Sequence, residues 1–135
     1  MSFSIDGKTV IVTGAANGIG AALARHFAEN GANVMCADID EKALKKDLGE
    51  SADDSNVRYF AGDLREKLTL ANLLSATVDA FDRVDVLVNA SRQMATTDPL
   101  DMDDETVEKL LQQNLITSLR LSQMVAKRMI KQDEE

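Results

Sequence analysis

The sequence has no tryptophan, one cysteine, one proline, one histidine and one tyrosine among its 135 residues. A lone cysteine, Cys36, excludes an intrachain disulfide and any metal site built from several thiolates. The lone histidine, His26, sits beside Arg25 in a helical pattern with no partner for metal or nucleophile chemistry, so no metal is expected. With Pro99 alone and no Pro/Gly/Ser tract, nothing marks a linker, and residues 1–135 read as a single domain. Basic residues are in deficit, 15 Lys and Arg against 23 Asp and Glu, for a net charge of -8. Such a chain repels phosphate backbones and anionic lipid, so neither a nucleic-acid nor a membrane partner is expected. Apolar runs fall far short of the roughly 20 residues of a membrane span. Asp6 and Gly7 precede the first apolar run, unlike a secretory leader, and a cytoplasmic location is expected.

What is present is an alternation of strand and helix patterns. Lys8 to Thr13 is a β-branched run that ends at a glycine. From Gly18 to Asn30, Ile19, Leu23 and Phe27 recur at helical spacing, and Gly31 follows in the usual capping position. Strands are expected at Asn33–Asp38, Val57–Ala61 and Val84–Asn89. Helices are expected at Glu41 to about Leu48, Glu66–Phe81 and Asp103 to about Lys131, the last opened by the acidic run Asp101–Glu105. A βαβαβαβα order implies a parallel sheet covered on both faces, with right-handed crossovers. The expected fold is α/β, the first half of a Rossmann-like doubly wound sheet in strand order 3-2-1-4, incomplete on its C-terminal side.

The segment between the first strand and first helix reads Thr13-Gly14-Ala15-Ala16-Asn17-Gly18-Ile19-Gly20. Gly14 allows a tight turn out of the strand. Gly18 and Gly20 let backbone approach a pyrophosphate, with helix amides and the helix dipole facing it. The pattern resembles the glycine loop TGxxxGIG of the short-chain dehydrogenase/reductase family. The order of later motifs is similar as well: Asp38 at the end of the second strand, Gly62-Asp63-Leu64 after the third, Leu87-Val88-Asn89-Ala90 at the fourth, and Asn114 in the last helix.

The resemblance implies a dinucleotide site made by Thr13, Gly14, Asn17, Gly18, Ile19, Gly20, Asp38, Asp63, Leu64, Asn89 and Ala90. Asp38 would accept from the adenosine 2′-hydroxyl and repel a 2′-phosphate; with Asn17 where NADP-preferring relatives often place a basic residue, the expected cofactor is NAD. A competing role for Asp38 is to cap the helix at residue 41. The resemblance gives Asp63 the adenine amino group and the Leu64 amide a ring nitrogen, against the alternative of a solvated turn aspartate. Asn89 stands first in a family NNAG motif that here reads Asn89-Ala90-Ser91-Arg92. The second Asn and the Gly are gone, and Asn89 has the alternative of tying strands together.

The family's catalytic Ser and Tyr-x-x-x-Lys have no match. Tyr59 lies in the third strand with Asp63 four residues on, and Asn114 matches a position that supports a proton relay whose partners are absent from this chain. Two functions follow. One is the NAD(H)-binding portion of an oxidoreductase that is inactive by itself; the other is a non-catalytic nucleotide-binding or self-assembling protein. A homo-oligomer built on strand 84–89 and helix 103–131 is expected, because the apolar residues of that helix spread over much of its circumference.

Overall fold

The computed structural model describes residues 3–48 and 56–134. Four strands, β1 (Thr9–Thr13), β2 (Asn33–Asp38), β3 (Val57–Ala61) and β4 (Val86–Val88), form one parallel sheet in the order β3-β2-β1-β4. Helices α1 (Gly18–Glu29), α2 (Glu41–Leu48), α3 (Lys67–Phe81), α4 (Asp104–Leu111) and α5 (Thr117–Glu134) fill the connections and the end of the chain. The expected Rossmann-like fold and strand order are both present.

Side-chain alternation along the strands divides the core into two layers. Val10, Val12, Val34 and Cys36 face α1 and α2, where Ala24 and Leu44 are buried against them. Ile11, Met35 and Ala37 face the other way, onto Leu70 and Leu73 of α3 and Leu121 and Val125 of α5. Each fully buried Leu or Ile here contributes about 1.5–3 kcal/mol. β1 is buried throughout because strands flank it and helices cover it, which is why a run of Val and Ile was required there. Cys36 belongs to this interior: burial pushes its thiol up to about 12, which makes it a small hydrophobe and no nucleophile.

Beyond one-residue shifts at the ends of β1, α1 and α3, two elements differ from the sequence expectation. The fourth strand covers Val86–Val88 and not 84–89, and its three residues are only half-buried because β4 is an edge. At its start the Asp85 carboxylate accepts the Thr9 N–H (2.9 Å) while the Asp85 N–H donates to the Thr9 carbonyl (2.9 Å). The Val84 side chain is buried in the core layer with Ile11, while its backbone is met by the Gln132 side-chain amide, which accepts from its N–H (2.8 Å) and donates to its carbonyl (2.9 Å). The last helix is not one uniform rod. Gln112–Ile116 form a π-helical turn between α4 and α5, and the Thr117 hydroxyl donates to the Gln112 carbonyl (2.9 Å). Asp103 caps α4 by accepting the Thr106 N–H (2.8 Å), as the acidic run suggested.

Candidate functional site

A cleft of about 690 Å³ opens where all four strands end, lined by the glycine loop, Asp38, Gly62–Arg65, Asn89–Gln93 and Gln113. The glycine loop shapes its floor. Gly14 has φ +65°, and a Cβ there would lie 2.8 Å from both the Ala90 carbonyl oxygen and the Ser91 Cα. A Cβ on Gly20 would fall on the Gly14 carbonyl. Backbone thus packs on backbone on two sides of Gly14. Thr13 holds the upper side in place: its hydroxyl oxygen accepts the N–H groups of Ala90 and Ser91 (both 3.2 Å).

The start of α1 is arranged differently from the start of α4. Asn17 occupies its cap position without making a side-chain capping bond, and the first turn holds no acidic residue. α4 has Asp103 as its cap and Asp104 and Glu105 in the first turn. The first amides of α1 are left without a capping side chain at the cleft, where Asn17, Gly18, Ile19 and Gly20 all line the wall. Such an end offers donors and a positive dipole to an anion.

Asp38 joins the loop to β2. Its Oδ2 accepts the Ala16 N–H (3.1 Å) and its Oδ1 the Asp40 N–H (3.0 Å). The helix-capping role belongs to Asp40, whose Oδ1 accepts the Ala43 N–H (3.0 Å), so Asp38 remains at the cleft. Asp63 is engaged by a residue the sequence reading passed over. The Arg65 guanidinium donates from Nε to Oδ1 (3.0 Å) and from Nη2 to Oδ2 (2.7 Å), and it holds the Asp63 carboxyl below the ordinary carboxylate range. An Asp-x-Arg spacing after a strand was the available signal. Leu64 between them is buried.

Asn89 does not tie strands together; its side-chain amide donates to the Ser122 hydroxyl of α5 (3.0 Å). Asn114 sits in the π turn and clamps the loop that follows β4, accepting the Gln93 N–H and donating to the Gln93 carbonyl (2.8 Å each). Gln113 beside it donates to the Ser91 hydroxyl (2.7 Å). The π turn thereby secures the wall of the cleft that carries Ser91, Arg92 and Gln93. Tyr59 is in β3 and is not among the cleft residues. No group of three or more His, Cys, Asp or Glu is placed to hold a metal ion among the described residues, and no described helix is long and apolar enough to cross a membrane.

A parallel 3-2-1-4 sheet, helices on both faces and a glycine-floored cleft at the strand ends define the Rossmann-like class. Within that class, the short chain dehydrogenase model matches residues 8–134, and the chain belongs to the short-chain dehydrogenase/reductase family. It is 35% identical over 133 residues to a D-threitol dehydrogenase of Mycolicibacterium smegmatis, covering 95% of this chain and 50% of that protein. It is 30% identical over 128 residues to an NAD-dependent glycerol dehydrogenase of Listeria innocua, covering 95% and 50%. A glucose/ribitol-type short-chain dehydrogenase/reductase of Brucella melitensis shares the fold, with a TM-score of 0.87 at 22% identity over 95% of this chain and 55% of that one. The chain spans about half the length of the curated relatives it matches.

Proposed function

We propose that this chain is the NAD(H)-binding portion of a short-chain dehydrogenase/reductase-type oxidoreductase and that residues 1–135 form one dinucleotide-binding domain. The uncapped N-terminus of α1, opening on a cleft floored by Gly14, carries this reading. The amides from Asn17 to Gly20 receive the diphosphate there, on a loop that Thr13 fastens to the far wall. Asp38 takes the adenosine ribose, with Ala16 and Asp40 orienting its carboxylate. Asp63 and Leu64 border the adenine, and Asn89 and Ala90 the nicotinamide side. NAD supplies a hydride-accepting ring when bound. The residues here bind and orient it, and Asn114 acts as the clamp of one wall and not as a proton donor.

Calorimetry with both cofactors tests this reading. NAD(H) is expected to bind at least tenfold more tightly than NADP(H), because a 2′-phosphate beside the Asp38 carboxylate meets a like charge at short range. Equal or tighter binding of NADP(H) would remove Asp38 from the ribose site.

A second reading, self-assembly, is favoured by one observation. Leu111, Leu115 and Leu119 are each more than half exposed, at spacings that place them along one side of the last helical stretch, and β4 is a free edge nearby in the chain. The partner of this surface is a second copy in isologous contact, helix against helix. Light scattering across a concentration series is expected to give a dimer that Leu119→Asp converts to monomer. A wild-type monomer at every concentration, with a sharp unfolding transition, would rule the interface out.

A further inference from the structure

Two arginines line the cleft, and they differ in what surrounds them. Arg65 is held by the Asp63 carboxylate through paired hydrogen bonds. Arg92 makes neither a hydrogen bond nor an ion pair among the described residues, and it is exposed. The other cleft carboxylate, Asp38, is directed at the Ala16 and Asp40 amides, so Arg92 has no counter-charge in the site. Its backbone is nevertheless well fixed. Ser91, the preceding residue, lies against Gly14, has its N–H on the Thr13 hydroxyl and its own hydroxyl on Gln113; Gln93, the following residue, is clamped by Asn114. A long cationic side chain is thus carried on a secured wall of the cleft, one residue on from the backbone that packs against Gly14.

We propose that Arg92 is a phosphate-binding residue, which pairs its guanidinium with the diphosphate of a dinucleotide seated on the glycine loop. The inference rests on the reading of the cleft as a dinucleotide site and goes beyond it by naming a side-chain partner for the diphosphate. A chain of net charge -8 disfavours a polyanionic ligand at long range. The two carboxylates and two arginines of the cleft sum to no net charge, and helix amides supply only partial charges. Arg92 is the one full positive charge there that is free to meet the ligand, and a guanidinium presents paired donors to phosphate oxygens. In the resembled motif this position is glycine, so the contact distinguishes this chain from that pattern.

The test titrates NAD⁺, ADP-ribose and adenosine into the wild-type chain, Arg92→Gln and Arg92→Lys, each at low and high salt. Arg92→Gln is expected to weaken NAD⁺ and ADP-ribose by roughly tenfold, with adenosine unchanged. The difference is expected to shrink at high salt, and Arg92→Lys to recover part of it. Unchanged NAD⁺ affinity in Arg92→Gln overturns the proposal, as does an equal loss for adenosine, which marks a merely structural role. A wild-type chain that binds none of the three overturns the dinucleotide reading itself, a failure visible before any variant is made.

Discussion

Gly20→Ala is expected to abolish NAD(H) binding and to destabilise the fold by about 1–3 kcal/mol. The added Cβ would fall on the Gly14 carbonyl, which is backbone and has no rotamer to move. Gly14 has no room to retreat, because the Ala90 carbonyl and Ser91 Cα close its other side and Thr13 holds both residues there. The strain must therefore spread into the loop that presents the first amides of α1, which are the proposed diphosphate donors. Gly18→Ala is the comparison for stability alone, since Gly18 itself lines the proposed diphosphate site. Gly18 has φ +56° and open space around its Cβ position, so its cost to stability is confined to the left-handed backbone penalty of about 1–2 kcal/mol. Urea denaturation and calorimetry on both variants check the pair. Gly20→Ala with wild-type stability and wild-type affinity would show that this close packing is unimportant.

The 135 residues on their own are expected to transfer no hydride between NAD(H) and alcohols or carbonyl compounds. Removing a proton from an alcohol as hydride leaves requires a positioned acid or base, a contribution of roughly 10²- to 10⁴-fold. The one tyrosine, Tyr59, is in β3 outside the cleft, and the one histidine, His26, is exposed on α1. Asn114 has both ends of its amide engaged by the Gln93 backbone and cannot substitute. None of these groups is free at the cleft to exchange that proton. The assay follows NADH absorbance over a panel of secondary alcohols and ketones. Turnover that persists through rigorous removal of host dehydrogenases, and that scales with this chain, would refute the expectation.

The parts of the fold read correctly from sequence are those where each local preference agrees with the global one. The Val-Ile-Val run of β1 has to be buried on both faces, the glycines have to follow it, and Asp38 has to end the next strand. Strand order 3-2-1-4 was expected from the doubly wound fold that the alternation and the glycine loop together point to, since crossover handedness by itself is met by other orders. Other features were hidden for physical reasons. The π turn adds one residue per turn without breaking the apolar pattern, since Leu110, Leu111 and Leu115 read equally well on a uniform helix. The Asn114 clamp reaches a residue 21 positions away, and no periodicity reports a contact of that kind. Val84 carries a strand-like side chain, yet its backbone pairs with a glutamine amide and not with a strand. Arg65 and Arg92 were legible as charges, but whether each is engaged or free depends on the carboxylates around it.

The Gln132–Val84 pairing has a consequence for behaviour in concentrated solution. A parallel sheet with an open side invites strands from other molecules to add end upon end, the growth mode of fibrous aggregates. Here the first peptide group facing outward is already bonded to the molecule's own last helix, and only Val86–Val88 remain beyond it as a ladder. Gln132 thus withdraws the Val84 N–H and carbonyl from intermolecular pairing and shortens the ladder this edge can offer, whereas β3, the opposite edge of the sheet, lies beyond its reach.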